Sequence, residues 1–384
     1  KMLNNVKRKA IQKKDRKEIE TILDNEDFMP VENILPNEIN RVIFYLRRVL
    51  PHSGGYTSIL RLGTELSKNG YDVYYAILST KQSVIDAKKC ASINLNSYQG
   101  TIIKSENIES TKNDIIIATY WKTVYQIKHF EGYKMYFVQD FEPYFTMFGE
   151  EYLLTLKTYE LGFHMVSLGE WNKIMINKNT KTKGKLDFID FPFEPSEYVF
   201  KNRDYNLYSK KKNFVLAAFI KPDQKRIPNV IQSMLTNLEK EFKKNGYELS
   251  IKYFGTNKKM KLKNGENLGM LNKEELANLY EDADFGICGS MTNVSLVPYE
   301  MLAKGLPLIE FEEGTYQFFF PNETAIITNF SYMNLYNKLV EAINNPDILE
   351  QYQKNSIVFL KNLSWKKTGK QFVNIMEGYK DDRR

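Results

Sequence analysis

Residues Arg41–Leu78 read RVIFYLRRVLPHSGGYTSILRLGTELSKNGYDVYYAIL. The apolar run Arg41–Leu46 predicts a buried strand. Ile59, Leu62 and Leu66 then recur at helical spacing, and Asn69-Gly70 stops that helix before a second strand over Val73–Leu78. Between strand and helix the chain gives up side chains at Gly54-Gly55. Bare backbone there serves either a tight turn or close approach to a ligand. The dinucleotide fingerprint G-x-G-x-x-G is absent.

Further β-rich runs follow at Thr101–Lys104, Ile115–Thr119, Lys134–Val138 and His164–Ser167, with helical segments between several of them, as at Tyr152–Leu161. Strand alternating with helix predicts a parallel sheet covered on both faces. The pattern breaks around Pro192–Lys212 and then resumes. Strands are predicted at Phe214–Phe219, Leu249–Phe254, Phe285–Cys288, Leu306–Ile309 and Ala325–Ile327. Helices are predicted near Ile227–Lys243, Glu274–Asp282, Leu296–Ala303 and Met333–Asn344. The expected division is a basic extension over 1–40, an α/β domain over 41–198, a second over 199–363, and a helix over 364–384 that its neighbours assign to neither. Two such domains predict a cleft between their sheet ends, with ligands at the C-terminal ends of the strands.

A chain of 384 residues, 42% hydrophobic and 26% charged, accommodates two globular domains. The aromatic content of 14% supplies core and cleft material. Cys90 and Cys288 are far apart and lack metal-ligand spacing, and His52, His129 and His164 are scattered. This predicts no disulfide framework and no metal site. No apolar run is long enough to span a bilayer and no signal-peptide core opens the sequence, so a cytoplasmic protein is expected. The net charge is +7, and Lys1, Lys7, Arg8, Lys9, Lys13, Lys14, Arg16 and Lys17 crowd the start. They form either a solvated tail or a segment drawn to anionic lipid headgroups at the inner face of the membrane. No nucleic-acid module accompanies the charge.

The residues most able to carry chemistry lie in ADFGICGSMTNVSLVPYEMLAKGLPLIEFEEG, Ala283–Gly314. A strand ends near Cys288, a polar loop follows, and a helix begins near Ser295. Unpaired amides at a helix N-terminus suit a diphosphate. Glu300, one turn in, can accept hydrogen bonds from sugar hydroxyls. It can equally be a first-turn acid stabilised by the helix dipole.

SLVPYEMLAKGLPLI (295–309) resembles the donor-binding segment of GT-B glycosyltransferases, especially the large retaining family 4. LAAFIKPDQKRIPNVI (216–231), IKYFGTN (251–257), ENLGMLNKEELANLYEDADFGICGS (266–290) and HSGGYTSILRLGTELSKNGYDV (52–73) are similar to that family's other pieces, in the family's order. YFVQDFEPYF (136–145) and TYELGFHMVSLGEWN (158–172) look like the branch of bacterial rhamnosyltransferases that build polyrhamnose and S-layer glycans from dTDP-L-rhamnose.

The resemblance implies a GT-B fold of two Rossmann-like domains and a nucleotide sugar as donor, without metal. It implies a growing polysaccharide or lipid-linked glycan as acceptor. Donor contacts fall on Lys221, Arg226, Gly255, Ser290, Thr292, Asn293, Val294, Ser295 and Glu300. Glu300 would bind ribose, and Lys221 and Arg226 would face the diphosphate, with Lys225 competing for either place. Gly54, Gly55 and Tyr56 would meet phosphate or sugar from the other domain. Two positions depart from the family. Thr292 stands where the first of two glutamates is usual, and Gln139-Asp140 stands where many relatives have a histidine.

Asp140 and Glu142 form an Asp-x-Glu at a strand end. Asp140 is expected either to act as general base on an acceptor hydroxyl, to orient the acceptor, or merely to cap a loop. Gln139, Glu142 and Trp121 are the accompanying acceptor-side candidates, Trp121 stacking on a sugar ring unless it belongs to the core. A UDP-hexose donor, a nucleotide-sugar epimerase and a non-catalytic sugar-binding protein are the alternatives.

Overall fold

The computed structural model of the protein describes residues 16–381. Among these, two compact units are distinguished: residues up to Asp190 together with those from Thr368 onward, and Phe191–Lys367. The division falls inside the proline-bearing stretch, upstream of the 198/199 junction, and the last helix joins the first unit from Thr368. Lys1, Lys7, Arg8, Lys9, Lys13 and Lys14 lie outside the described residues. Arg16 and Lys17 belong to a helix, α1, running through residues 16–25.

The first unit contains seven strands: β1 (Arg41–Leu46), β2 (Asp72–Ile77), β3 (Thr101–Lys104), β4 (Ile115–Ala118), β5 (Tyr133–Val138), β6 (His164–Leu168) and β7 (Leu186–Ile189). They form one sheet in the order β3-β2-β1-β4-β5-β6-β7, with every neighbouring pair parallel. Its helices are α2 (Gly54–Lys68), α3 (Val84–Asn94), α4 (Trp121–Ile127), α5 (Glu150–Thr158) and α6 (Glu170–Asn179). β1, β4, β5 and β6 are buried along nearly their whole length, as strands covered on both faces must be. Residues before β1 strap onto this unit, with Asn33 exchanging hydrogen bonds of 2.7 and 2.8 Å with the backbone of Lys134.

The second unit has β8 (Asn213–Phe219), β9 (Glu248–Phe254), β10 (Glu266–Gly269), β11 (Phe285–Ile287), β12 (Leu308–Phe311) and β13 (Ile326–Thr328), parallel in the order β10-β9-β8-β11-β12-β13. α7 (Pro228–Lys244), α8 (Lys273–Asp282), α9 (Leu296–Ala303), α10 (Tyr332–Asn344) and α11 (Pro346–Lys361) surround it, and α12 (Trp365–Asp381) ends the described chain. Gly286 lets α9 approach the sheet, since a Cβ there would stand 2.5 Å from the Met301 sulfur.

Two strands and several helices escape the sequence pattern. β7 and β10 are edge strands with half-exposed residues, so they lack an apolar run. α3 and α6 have little apolar segregation along one face, and α4 is only seven residues long. The strand predicted over Leu306–Ile309 lies instead at Leu308–Phe311. The prediction stopped where Glu310 interrupts the apolar run, yet Glu310 is inside the strand and wholly buried.

Candidate functional site

Each sheet has one strand from which the order runs both ways. In the first it is β1, between β2 and β4, and in the second β8, between β9 and β11. Connections leaving such a pair in opposite directions open a crevice at the strands' C-terminal ends, where ligands of open α/β sheets bind. The loops at the second switch point are 220–227 after β8 and 288–295 after β11. They hold most of the predicted donor residues.

Arg226 ends a short 3₁₀ turn, Gln224–Arg226, and is only 7% exposed. Its Nη1 donates to the carbonyl of Gly289 at 3.4 Å and its Nη2 to that of Asn293 at 3.1 Å. The next residue, Ile227, has φ +42°, a left-handed conformation that a β-branched residue rarely adopts. A Cβ at Gly289 would lie 2.6 Å from the Ile227 side chain, so glycine is what allows the two loops to touch. The same loop is held from below. Ser290 Oγ donates to Glu310 Oε1 at 2.7 Å and Ser290 N–H to Oε2 at 3.2 Å. Thr315 donates its amide to the Ser290 carbonyl at 2.7 Å and its hydroxyl to the Thr292 carbonyl. Burial pushes the Glu310 carboxyl up to about 8, against the pull of Ser290 and Arg226.

The loop runs into α9, capped by Ser295, whose Oγ accepts the Val297 amide at 3.4 Å. Glu300, half-buried one turn later, accepts from the Tyr198 hydroxyl at 3.0 Å and from Tyr280 at 3.5 Å. Burial raises its carboxyl, and Tyr198, Lys273 and Tyr280 draw it back down. Beneath α9, Tyr299 stacks on Phe191 and Phe193 at centroid distances of 5.2 and 5.8 Å, which ties the helix to the segment after β7. Lys221 lies over the Phe219 ring at 5.5 Å, and desolvation together with Arg226 and Lys225 lowers its pKa. Gly255, after β9, has φ +93° and admits the Phe219 ring where a Cβ would clash at 2.6 Å. Val294 and Thr292 are buried in the loop. Lys221, Lys225 and Arg226 thus gather with the start of α9 at one switch point, the arrangement in which helix N-termini and cations receive anions.

At the first unit's switch point, Arg47, Arg48, Ser53, Gly55, Tyr56 and Gln139 are among the residues lining a pocket of about 230 Å³. Gln82 exchanges two 2.8 Å hydrogen bonds with the Val49 backbone, and Asn94 accepts the Ser53 amide at 2.9 Å. These distant side chains hold the loop before α2, whose first turn contains Gly54, Gly55 and Tyr56. A Cβ on Gly55 would meet the Gln139 side chain at 3.7 Å, in ordinary contact, so folding does not demand glycine there.

Among the acceptor-side alternatives the structure selects core for Trp121 and a loop cap for Asp140, and it moves Glu142 away from an acceptor role. Trp121 is 3% exposed and opens α4 inside the core, with its ring edge-on to Tyr125, so it offers no stacking face. Glu142 is 4% exposed, and its Oε2 accepts the Trp121 amide at 2.7 Å. It therefore closes the start of α4, and burial pushes its carboxyl up to about 8. Asp140 is buried with Oδ1 accepting the Phe141 amide at 2.9 Å, and it does not line the pocket. Each turns inward because the segment after β5 folds into a 3₁₀ turn, Glu142–Phe145, packed on Tyr159 and Trp171.

Among the described residues no cluster of three or more His, Cys, Asp or Glu could hold a metal ion, and no helix is long and apolar enough to cross a membrane. No family model matches the chain. It is 25% identical over 273 residues to an O-antigen biosynthesis protein, RfbC, of Myxococcus xanthus, covering 66% of this chain. The chain spans about one fifth of that relative's length. Three solved structures share its fold. Sucrose-phosphate synthase from Thermosynechococcus elongatus has a TM-score of 0.64 at 12% identity, over 89% of this chain and 100% of that one. Anabaena HepE in complex with UDP-glucose scores 0.65 at 10% identity, over 88% and 99%. WaaG, a glycosyltransferase involved in lipopolysaccharide biosynthesis, scores 0.58 at 13% identity, over 88% and 100%. The fold is GT-B.

Sequence reasoning missed Glu310, Thr315, Tyr198, Arg47 and Arg48. Glu310 carried a usable signal, since a carboxylate between apolar Leu308-Ile309 and Phe311 reads as a strand interrupted by a group that needs a partner. Tyr198 carried none, standing in a proline-bearing linker among other aromatics.

Proposed function

We propose that the chain is a glycosyltransferase that moves a sugar from a nucleotide diphosphate onto a growing polysaccharide or lipid-linked glycan. The observation that carries this is the loop Gly289–Ser295, clasped by Arg226 and Glu310 at a switch point and running into α9 with Glu300 one turn in. Lys221 and Lys225 face the diphosphate and stabilise the charge that develops on the leaving group. Arg226 orients the loop amides toward the same group. Glu300, set by Tyr198, accepts the ribose hydroxyls. Gly54, Gly55, Tyr56 and Gln139 present a second surface for sugar or acceptor.

The donor is most specifically dTDP-L-rhamnose. The segments 136–145 and 158–172 support this, and likeness to an O-antigen biosynthesis protein supports a glycan as the acceptor. A UDP-hexose is the second reading, favoured by a structural neighbour solved with UDP-glucose. Work on a lipid-linked glycan would place the protein at the cytoplasmic face of the membrane.

A thermal-shift panel of dTDP-, UDP- and GDP-sugars tests the donor, because a ligand that binds the native state raises its melting point. Stabilisation by dTDP-L-rhamnose and sugar transfer to a glycan acceptor are expected. Shifts with UDP or GDP compounds alone would overturn the rhamnose reading. An epimerised sugar from donor alone would replace transfer with epimerisation.

A further inference from the structure

The stretch from the 3₁₀ turn Glu142–Phe145 into α5 carries an apolar tip to which the sugar-transfer reading assigns no role. Met147 is 92% exposed and Phe148 83%, with Tyr144, Phe145 and Leu153 exposed beside them. The Phe141 ring meets Tyr144 edge-on at 4.9 Å, and Phe148 leans on Tyr152 of α5 at 5.4 Å. Packing therefore holds the base of the tip and leaves its end to solvent. Large apolar side chains gathered in one exposed stretch mark an interaction surface.

Ion pairs join this tip to the start of the described chain. Glu18 of α1 pairs with Lys122 of α4 and with Arg47 at 3.4 Å. Lys122 also reaches Glu151 of α5 at 3.5 Å, close in sequence to Phe148. The segment that joins α1 at Arg16, KMLNNVKRKAIQKKD, carries Lys1, Lys7, Arg8, Lys9, Lys13 and Lys14 against Asp15 alone. Glu150, exposed beside the tip, is outnumbered by these cations. Aromatic, thioether and aliphatic side chains suit the boundary between headgroups and hydrocarbon, and clustered Lys and Arg suit anionic headgroups. An apolar protein surface would use the tip but not the charge. A bilayer of anionic lipid uses both.

We propose that Tyr144, Phe145, Met147, Phe148 and Leu153 form a wedge that enters the headgroup boundary of an anionic bilayer, while the basic segment before α1 is drawn to the same headgroups. Apolar insertion and charge attraction are two weak signals that together hold a protein at a membrane surface. Lipid alone is the partner, so the wedge acts whether or not the chain transfers sugar.

The test is sedimentation with vesicles of phosphatidylcholine, or of an equal mixture with phosphatidylglycerol, without nucleotide or acceptor. The wild-type protein binds the mixed vesicles in preference, and added salt weakens that binding. The double variant Met147→Ser, Phe148→Ser binds them about tenfold or more weakly and keeps the salt dependence. A variant with Lys7, Arg8, Lys9, Lys13 and Lys14 all changed to Gln also binds about tenfold or more weakly, and loses most of the preference for the mixture. The changed tip side chains are exposed, so the melting point stays near that of wild type. Phe148→Trp supplies a reading that needs no loss of binding: its fluorescence moves to the blue on mixed vesicles, beyond any change in wild type. Wild-type protein that does not prefer the mixed vesicles overturns the inference. So does wild-type binding by the double variant, or a Phe148→Trp spectrum that stays in place. Self-association that the double variant loses, with vesicle binding unchanged, gives the tip to a second copy and overturns the membrane. Sugar transfer by a protein that ignores both vesicles overturns this inference alone. Docking without transfer overturns only the proposed function.

Discussion

Arg226 Nη2 donates to the carbonyl oxygen of Asn293 at 3.1 Å, joining residues 67 apart in sequence. The guanidinium is spent partly on the loop itself, bridging it to Gly289 as well. Arg226 thus shapes the loop from inside, and in the proposed nucleotide site its charge would act on a diphosphate through the loop that it holds in place.

Replacing Arg226 tests both roles. A lysine ammonium does not reproduce the planar fork that spans two carbonyls. Arg226→Lys is expected to lose about 1–3 kcal/mol of stability, read by urea denaturation, because buried carbonyls are left without a donor. UDP and dTDP affinity should fall in Arg226→Lys and more so in Arg226→Ala. Wild-type affinity in both would remove Arg226 from the nucleotide site.

Glu300 is held by two phenols, and burial keeps its carboxyl above the usual range. Glu300→Ala is expected to weaken nucleotide binding about tenfold or more, the worth of a hydrogen bond to a charged group. Tyr198→Phe removes one of the two orienting hydroxyls and should give a smaller loss. Calorimetric titration with UDP and dTDP measures both. An unaltered Kd in Glu300→Ala would leave the residue as a helix acid.

Gly55 separates folding from function. The nearest atoms to an added Cβ are those of the Gln139 amide at 3.7 Å, ordinary contact, and the position lines the pocket. Gly55→Val should keep its melting point within about 3 °C of wild type, a difference below about 1 kcal/mol. Sugar transfer should drop substantially. Unchanged turnover would return Gly54-Gly55 to a plain turn.

The buried carboxyl of Glu142 gives a pH signature. Burial raises it to about 8 from the ordinary 4.5, so the folded state keeps a proton that the unfolded chain releases. Its stabilising contribution is complete below the unfolded value and is lost as pH rises toward 8. The wild-type melting point should therefore fall between pH 5 and 8. Glu142→Gln, which keeps an acceptor for the Trp121 amide, should fall less steeply. Glu310 acts with the same sign, so the slope shrinks without vanishing. Identical slopes would show that Glu142 does not hold its proton on folding.

The architecture was legible because it rests on local signals. Apolar β-rich runs such as Arg41–Leu46 and Ile115–Ala118, punctuated by amphipathic helices, specify parallel strands buried on both faces. The loops that matter were legible for the same reason, since strand end, polar stretch and helix start are read from neighbouring residues. The segment Gly289–Glu300 and the turn at Gly54-Gly55 both fall at switch points of the observed sheets.

Tertiary structure alone decided where the side chains point. Asp140 and Glu142 read as cleft carboxylates, yet the turn after β5 aims them at the backbone of Phe141 and Trp121. Trp121 read as either a stacking platform or core, and it is core. Glu310 fell just past the predicted strand and is the support of the loop above it. For two of these the partner lies elsewhere in the chain, 21 residues away for Glu142 and 20 for Glu310, while Asp140 caps its own neighbour Phe141. Hydrophobic periodicity records which face of an element is buried. A hydrogen bond across such a gap leaves no periodic trace, because it depends on strand order and loop path, which only the folded sheet supplies.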